Sequence, residues 1–420
     1  MPEVSTAAKV LRFEDARHTV EEQAALARPI ATESVELHSA AGRVLAEAVL
    51  ADRDLPPFPR STRDGYAVRS GDLVHVPATL DVIAEIKAGE KAATMPTTIG
   101  AGQSAAIMTG APVPDGADAV VMVEYSSERG TRVEISKSVQ PAENIVPRGA
   151  EARAGNFLVE SGRRLNDAAI ALAASAGKSQ LRVYKRPRVA ILSTGDELVE
   201  VDKVPGPTEI RNSNSYSLAV QVEQAGGEAL GLPIAPDEPK QLRNLIEQGL
   251  RADLLLMTGG VSMGRYDLVE QVLSELQAEF FFTGAQIQPG RPVVFGKCGE
   301  RALAREKLAT YFFGLPGNPV STMVTFELFA RPMLEALAGV SPRKLAFVHA
   351  KLKSEIKVKP GLKRFLPAIL SGEFENTQVE LVPWQGSGDI AATARANCYI
   401  VVPPDRELIQ ANEFVPIMLR

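Results

Sequence analysis

From Arg188 onward the sequence repeats one unit, an apolar run, then a loop, then an amphipathic stretch, and this repetition limits the possible folds more than any single motif. Val189 to Leu192 is the first apolar run, and Leu218, Val222 and Ala225 then recur at helical spacing. That helix is expected to stop at Gly226-Gly227, where glycine takes the left-handed backbone that ends helices. Ala229 to Ile234 is the second run, followed by Leu242, Leu245, Ile246 and Leu250 behind Pro239, a residue suited to a first helical turn. Leu254 to Met257 leads to Leu268, Val269, Val272, Leu273 and Leu276, and Tyr311 to Leu315 leads to a helix from Ser321 to Leu337. Strands and helices alternating in this way predict a mostly parallel sheet covered on both faces, a three-layer α/β core domain over 187–338.

The 420 residues exceed one ordinary core, at ~100–200 residues per domain. Phe13 to Ala51 reads as a helix around Val20, Ala24, Ala25 and Leu26, then a strand and turn near Val35 to Gly42. From Asp54 to Arg148 the texture changes to short β-rich runs (Asp81 to Ile86, Ala119 to Glu124, Arg132 to Ser136) punctuated by Gly and Pro. This predicts an inserted β domain over 54–148. Helical periodicity returns at Asn166 to Ala176, so a small discontinuous N-terminal α/β domain is expected over 10–53 plus 149–186. After Gly339, runs at Phe347 to Leu352, Thr377 to Val382 and Cys398 to Val402 predict a barrel-like β domain over 339–420.

A net charge of −5 offers no basic field for phosphate backbones, so nucleic acid is not an expected partner. Met1 to Arg12 has no long apolar core and no later run approaches a membrane span, so a cytoplasmic protein without membrane contact is expected. Cys298 and Cys398 form no C-x-x-C, and the four histidines form no H-E-x-x-H, so any metal should be hard and carboxylate-bound.

In open α/β sheets ligands sit at the carboxyl ends of the strands, so the loops leaving those strands carry the candidate chemistry. They are Ser193-Thr194-Gly195-Asp196-Glu197, Thr258-Gly259-Gly260-Val261-Ser262-Met263-Gly264 and Pro316-Gly317-Asn318-Pro319. In the middle loop, adjacent glycines let backbone N–H groups approach an anion, and a helix starting near Tyr266 adds its positive end. Gly259 and Gly264 have the outer spacing of a P-loop, but Arg265 and Tyr266 replace its Lys and Ser/Thr, which disfavours a P-loop NTPase. Asp196, Glu197, Asp237 and Asp267 are candidates to hold Mg²⁺ against a phosphate. Of these, Asp237 reads first as a helix cap and Asp267 as a metal ligand. Ser61-Thr62-Arg63-Asp64-Gly65-Tyr66 and Thr109-Gly110-Ala111-Pro112 in the inserted domain are turn-rich, and hairpins alone can account for them.

These segments, with Ile107-Met108 before Thr109, Val113-Pro114 after Pro112, Asn212-Ser213-Asn214-Ser215 and Val320-Ser321 after Pro319, resemble the molybdopterin molybdenumtransferase family, which includes the E domain of gephyrin. The resemblance runs through nearly the whole chain in order. It implies an elongated homodimer of four-domain subunits that takes adenylylated molybdopterin and molybdate, uses Mg²⁺, releases AMP and leaves molybdenum on the dithiolene. It implies catalytic roles for Asp64, Thr109, Glu197, Asp237 and Asp267, with Asp267 and Glu197 on the metal. Ser262, Pro316, Pro319 and Ser387 are implied substrate contacts, Ser387 near the oxyanion. The glycine-loop reading adds Gly259, Gly260 and Gly264.

The chain also departs from the family pattern. Gln288 precedes Pro289-Gly290 where many relatives carry Lys, and Arg291 stands where Lys is common. A neutral amide donates hydrogen bonds but cannot offset a dianion, so Arg291 is expected to take more of that task. The family arginine after a later Pro-Gly is Leu362, with Lys363 and Arg364 close behind, and the acidic pair after Arg148-Gly149 is Glu151-Ala152. Two other functions compete: a scaffold binding partner peptides on the same fold, and a molybdopterin adenylyltransferase, the enzyme otherwise expected as the partner that supplies substrate. The carboxylates kept together with the glycine loops argue against the first, and the β domains flanking the core against the second.

Overall fold

The computed structural model describes residues 9–29, 31–89, 98–260, 268–303, 306–341 and 344–420. Its central sheet has six strands in the order Glu228–Gly231, Arg188–Ser193, Leu254–Thr258, Glu306–Leu315, Val294–Leu303, Glu279–Phe282. The first four run parallel, while Val294–Leu303 is antiparallel to both neighbours. The sheet is therefore mostly parallel, as expected, with Val294–Leu303 the one reversed strand. Val294–Leu303 has no alternating or helical period to announce it, because glycine and charge interrupt it from Gly296 to Arg301.

Successive residues of a strand face opposite ways, and here both faces are dry. Val189, Ile191, Leu254 and Leu256 pack in one apolar cluster with Leu218, Val222 and Ala225 of helix Asn214–Ala225. Ala190, Leu192, Leu255 and Met257 pack in a second, with Leu242 and Ile246 of helix Pro239–Gly249 and Val269, Val272 and Leu273 of helix Leu268–Glu275. Burial on both faces explains why these strands read as continuous apolar runs. Each fully buried Leu or Val contributes roughly 1.5–3 kcal/mol, so neither face tolerates a charge.

The long helix begins at Pro319, earlier than the periodicity suggests, and is interrupted: Pro319–Thr325 and Arg331–Leu337 are α-helical, with a π-helical turn, Phe326–Ala330, between them. Pro332 has no N–H to offer the carbonyl of Leu328. Arg17, on the first helix, Phe13–Leu26, donates to that carbonyl instead, and its side chain is buried for the purpose. The first helix thus lies on the core sheet's helical layer, with Phe13, Ala16 and Val20 in the same cluster as Phe329 and Met333.

On either side of the insertion the chain pairs with itself. Thr32–Glu36 is antiparallel to Gln180–Tyr184, and Val49–Leu50 to Phe157–Val159. The inserted segment forms a second six-stranded sheet, Ala119–Met122, Gly65–Val68, Gln103–Ile107, Ala78–Ile86, Arg132–Ile135, Ser126–Arg129. At the C-terminus Lys363–Ser371, Gln378–Leu381, Val348–Leu352, Phe414–Leu419 and Cys398–Val402 close into a five-stranded barrel, because Lys363–Ser371 pairs with Cys398–Val402 as well. Closure removes the open edges of the sheet. Ile287–Gln288, from the core, adds to the barrel beside Lys363 and Arg364. Among the described residues no helix is long and apolar enough to cross a membrane.

Candidate functional site

Three parallel strands end level, with Ser193 beside Thr258 and Thr258 beside Leu315. Their loops and the starts of helices Asn214–Ala225 and Pro319–Thr325 enclose a cavity of about 380 Å³. Glu197, Gly259, Gly260, Pro316 and Pro319, all expected from the sequence, line it. Thr194, Asn214, Thr258 and Arg211 line it too and were not among the expected site residues. The polar run Asn212-Ser213-Asn214-Ser215 ahead of an apolar helix was the signal for one of them.

Hydrogen bonds hold the loops together. Asn214 Nδ2 donates to Thr258 Oγ1 and to the Gly317 carbonyl, each at 2.8 Å, and Thr258 Oγ1 donates to the Pro316 carbonyl at 3.2 Å. Behind them Ser193 Oγ reaches Asn212 Oδ1 at 3.0 Å and Ser215 Oγ at 2.8 Å. Two buried polar atoms in this frame, Thr194 Oγ1 and Asn214 Oδ1, have no partner among the described residues. A buried donor or acceptor left unpaired costs about 1–3 kcal/mol, and both residues that carry these atoms line the cavity.

The glycines answer to packing. Gly259 and Gly260 have φ of +90° and +64°. A Cβ on Gly259 would run into the Thr194 carbonyl oxygen, and one on Gly260 would lie 2.8 Å from both Thr194 Oγ1 and Val269 Cγ2.

Asp196, Glu197 and Asp237 gather at one side. The Asp237 N–H donates to Asp196 Oδ1 at 3.0 Å, while burial, and then the charges of Asp196 and Glu197, push the Asp237 carboxyl above its ordinary value. Asp237 is not the helix cap: Glu238 caps Pro239–Gly249, accepting from the Lys240 and Gln241 N–H groups at 3.1 and 2.9 Å. Among the described residues no group of three side chains is arranged as a complete metal cage. Among the described residues no Lys or Arg forms an ion pair with these three carboxylates, and such an excess of negative charge suits an ion that takes one or two carboxylates and fills its shell with water and phosphate.

The remaining expected residues lie elsewhere. Asp64 and Thr109 meet in the inserted sheet, where Asp64 Oδ1 accepts from the Thr109 N–H at 2.6 Å and hydroxyl at 2.9 Å, which lowers its pKa. Neither lines the cavity. The Ser387 carbonyl accepts from the Val320 N–H at 3.0 Å, bringing the barrel's loop to the start of the long helix. Arg291 is exposed, one residue before Pro292 on the cavity wall. Ser262, Gly264 and Asp267 lie outside the described residues.

Comparison with known proteins agrees along the chain. Residues 11–177 match the MoeA N-terminal region (domain I and II), 190–336 a probable molybdopterin binding domain, and 349–419 the MoeA C-terminal region (domain IV). A molybdopterin molybdenumtransferase of Nostoc sp. is 39% identical over 92% of this chain and 88% of its own. One from Haemophilus influenzae is 34% identical over 97% and 98%. A crystal structure of a molybdopterin biosynthesis moeA protein from Pyrococcus horikoshii superposes with a TM-score of 0.77 at 27% identity, covering 98% of this chain and 100% of the other. With full-length similarity of this kind and the same domain order, the chain belongs to the molybdopterin molybdenumtransferase family.

Proposed function

We propose that the protein transfers molybdenum from molybdate to adenylylated molybdopterin and releases AMP, in molybdenum cofactor biosynthesis. The observation that carries this reading is the cavity at the strand ends, where Thr194 and Asn214, each with a buried polar atom that has no partner among the described residues, line the wall with Gly259 and Gly260 beside clustered carboxylates. The Thr194 hydroxyl donates to a phosphate oxygen, and Asn214 Oδ1 accepts an N–H or O–H from the nucleotide part. Gly259 and Gly260 let the turn pack closely against Thr194 in a left-handed conformation, and its backbone lies on the cavity wall where a phosphate can meet it. Cleavage adds water to one phosphorus of the phosphoanhydride and breaks its bond to the bridging oxygen, giving AMP and the pterin phosphate. The water's hydroxide stays on one product and its proton goes to the other or to solvent; in the transfer itself the two dithiolene sulfurs replace one oxygen of molybdate, which leaves as water with the two thiol protons, and molybdenum keeps its oxidation state.

Glu197 and Asp237 are the described residues that would hold Mg²⁺, with Asp267 the further carboxylate implied by resemblance. Bound there, the ion supplies charge against the phosphate oxygens. Since Asp64 and Thr109 lie off this cavity, a second copy of the chain brings them to it in the homodimer that this reading requires. The test is AMP release from purified protein given the pterin adenylate, with molybdate and Mg²⁺ each omitted in turn. AMP release that requires molybdate and Mg²⁺ supports the reading, and an intact adenylate in the complete mixture overturns it.

A further inference from the structure

Among the described residues that line the cavity at the strand ends, one side chain is positive, Arg211, and one is negative, Glu197. Both belong to a single short ribbon. Its strands Leu198–Val199 and Ile210–Arg211 run parallel, with Leu198 beside Ile210 and Val199 beside Arg211. The Ile210 N–H donates to the Glu197 carbonyl at 2.8 Å, and the Asn212 N–H to the Val199 carbonyl at 2.9 Å. Glu197 thus enters the ribbon on one strand and Arg211 leaves it on the other. Neither side chain forms an ion pair among the described residues, so the two opposite charges stand apart on one wall.

The Arg211 side chain is exposed, yet one edge of it is fixed. Its Nε donates to the Val201 and Lys203 carbonyls at 3.1 and 3.0 Å, in the loop that joins the two ribbon strands. The Nη groups, which carry the other N–H donors, have no partner among the described residues. A planar guanidinium anchored through Nε keeps its Nη edge for a two-point grip on phosphate. Three residues further on, Asn214 begins its helix and brings the unpaired Oδ1 to the same wall. Chemistry calls for a cation there as well. The nucleotide phosphate carries one negative charge inside the anhydride and about two as free AMP at neutral pH, and a fixed cation gains most where charge grows.

We propose that Arg211 grips the nucleotide phosphate of the adenylate and offsets the charge that develops on it as AMP forms; this rests on the adenylate being the substrate. The test measures AMP and adenosine binding by titration calorimetry, AMP release from the pterin adenylate, and thermal melting. The full chain is compared with Arg211→Gln, Arg211→Lys and Lys203→Gln. The last removes an exposed neighbouring charge but keeps the carbonyl that Arg211 uses. Arg211→Gln is expected to weaken AMP on the order of 10- to 100-fold, the cost of one charge-assisted contact, and to leave adenosine, which has no phosphate, at parent affinity. It should also lower kcat by a larger factor than it raises the adenylate KM. Arg211→Lys recovers much of the AMP affinity, and Lys203→Gln keeps parent values. Unchanged AMP affinity in Arg211→Gln overturns the assignment. An equal loss of AMP and adenosine, or no recovery in Arg211→Lys, overturns it too, because Arg211 would then only hold the ribbon loop. A parent kcat in Arg211→Gln overturns the role in charge development. A parent protein that neither binds AMP nor releases it fails the underlying reading, and that failure is seen before any variant is compared.

Discussion

Thr194 allows binding to be separated from folding. Its hydroxyl is buried with no partner among the described residues, so Thr194→Val, nearly equal in shape, removes no hydrogen bond among them and is expected to leave stability unchanged or higher. Affinity for the pterin adenylate is expected to fall about 10-fold, one lost hydrogen bond, as isothermal titration would show. Asn214→Ala differs because Nδ2 joins Thr258 to Gly317, and it should lower both affinity and unfolding free energy, the latter by about 1–3 kcal/mol in urea. Gly260→Val tests the fold first, since its side chain would strike Thr194 and Val269. Asp64 gives a pH signature. The Thr109 N–H and hydroxyl hold its native carboxyl below the ordinary value of 3.8, so its stabilising effect is complete above that value and is lost as pH falls through the lowered native one. Asp64→Asn should therefore melt below the parent at neutral pH, with the gap closing under acid, as scans at several pH values would record.

Among the elements, the interrupted long helix ties sequence to packing most directly. Pro332 leaves the Leu328 carbonyl without its helical donor, and Arg17 takes the place of that donor from another helix while also pairing with Glu21 at 2.9 Å. Arg17→Ala is expected to cost about 1–3 kcal/mol by leaving a buried acceptor unpaired. Pro332→Ala restores an N–H, so the double variant should lose less than the sum of the singles, by about 1 kcal/mol in a denaturant cycle. Additive effects would mean that Arg17 acts only through its pairing with Glu21.

For the whole molecule the question is whether the inserted sheet and the core strand ends belong to one site. Asp64 and Thr109 lie in the inserted sheet, while Glu197, Gly259 and Pro316 lie at the ends of the core strands, and the described cavity takes no wall from the inserted sheet. If a second copy closes it, Asp64→Asn mixed with Glu197→Gln should recover activity in the share of heterodimers that carry one intact site, about a quarter of the parent's sites at equal mixing. Activity no higher than that of either variant alone would place all of these residues in one subunit's site. The barrel's attachment through Ile287–Gln288 also makes the core and C-terminus one packed body, with Phe365, Tyr399 and Val401 sharing the core's apolar cluster.

The sequence by itself determined what depends on neighbours along the chain. Apolar runs buried on two faces, helical periods and the glycine stop at Gly226 are local, so the α/β core, the β insertion and the glycine and proline loops could all be read from order and spacing. The reversed strand Val294–Leu303 and the barrel strand Lys363–Ser371 were not legible, since pairing partners far along the chain make them strands. The same holds at the sites. Glu197, Gly259 and Pro316 announced themselves by motif, but which buried atoms go unpaired at Thr194 and Asn214 depends on how three loops meet. Tertiary structure also gave the cap to Glu238 rather than Asp237, and turned Lys363 to Glu14 on the first helix. The physical reason is common to all of these: a side chain's chemistry is written in its residue, but its partner, its burial and the face it shows are fixed only when distant segments pack together.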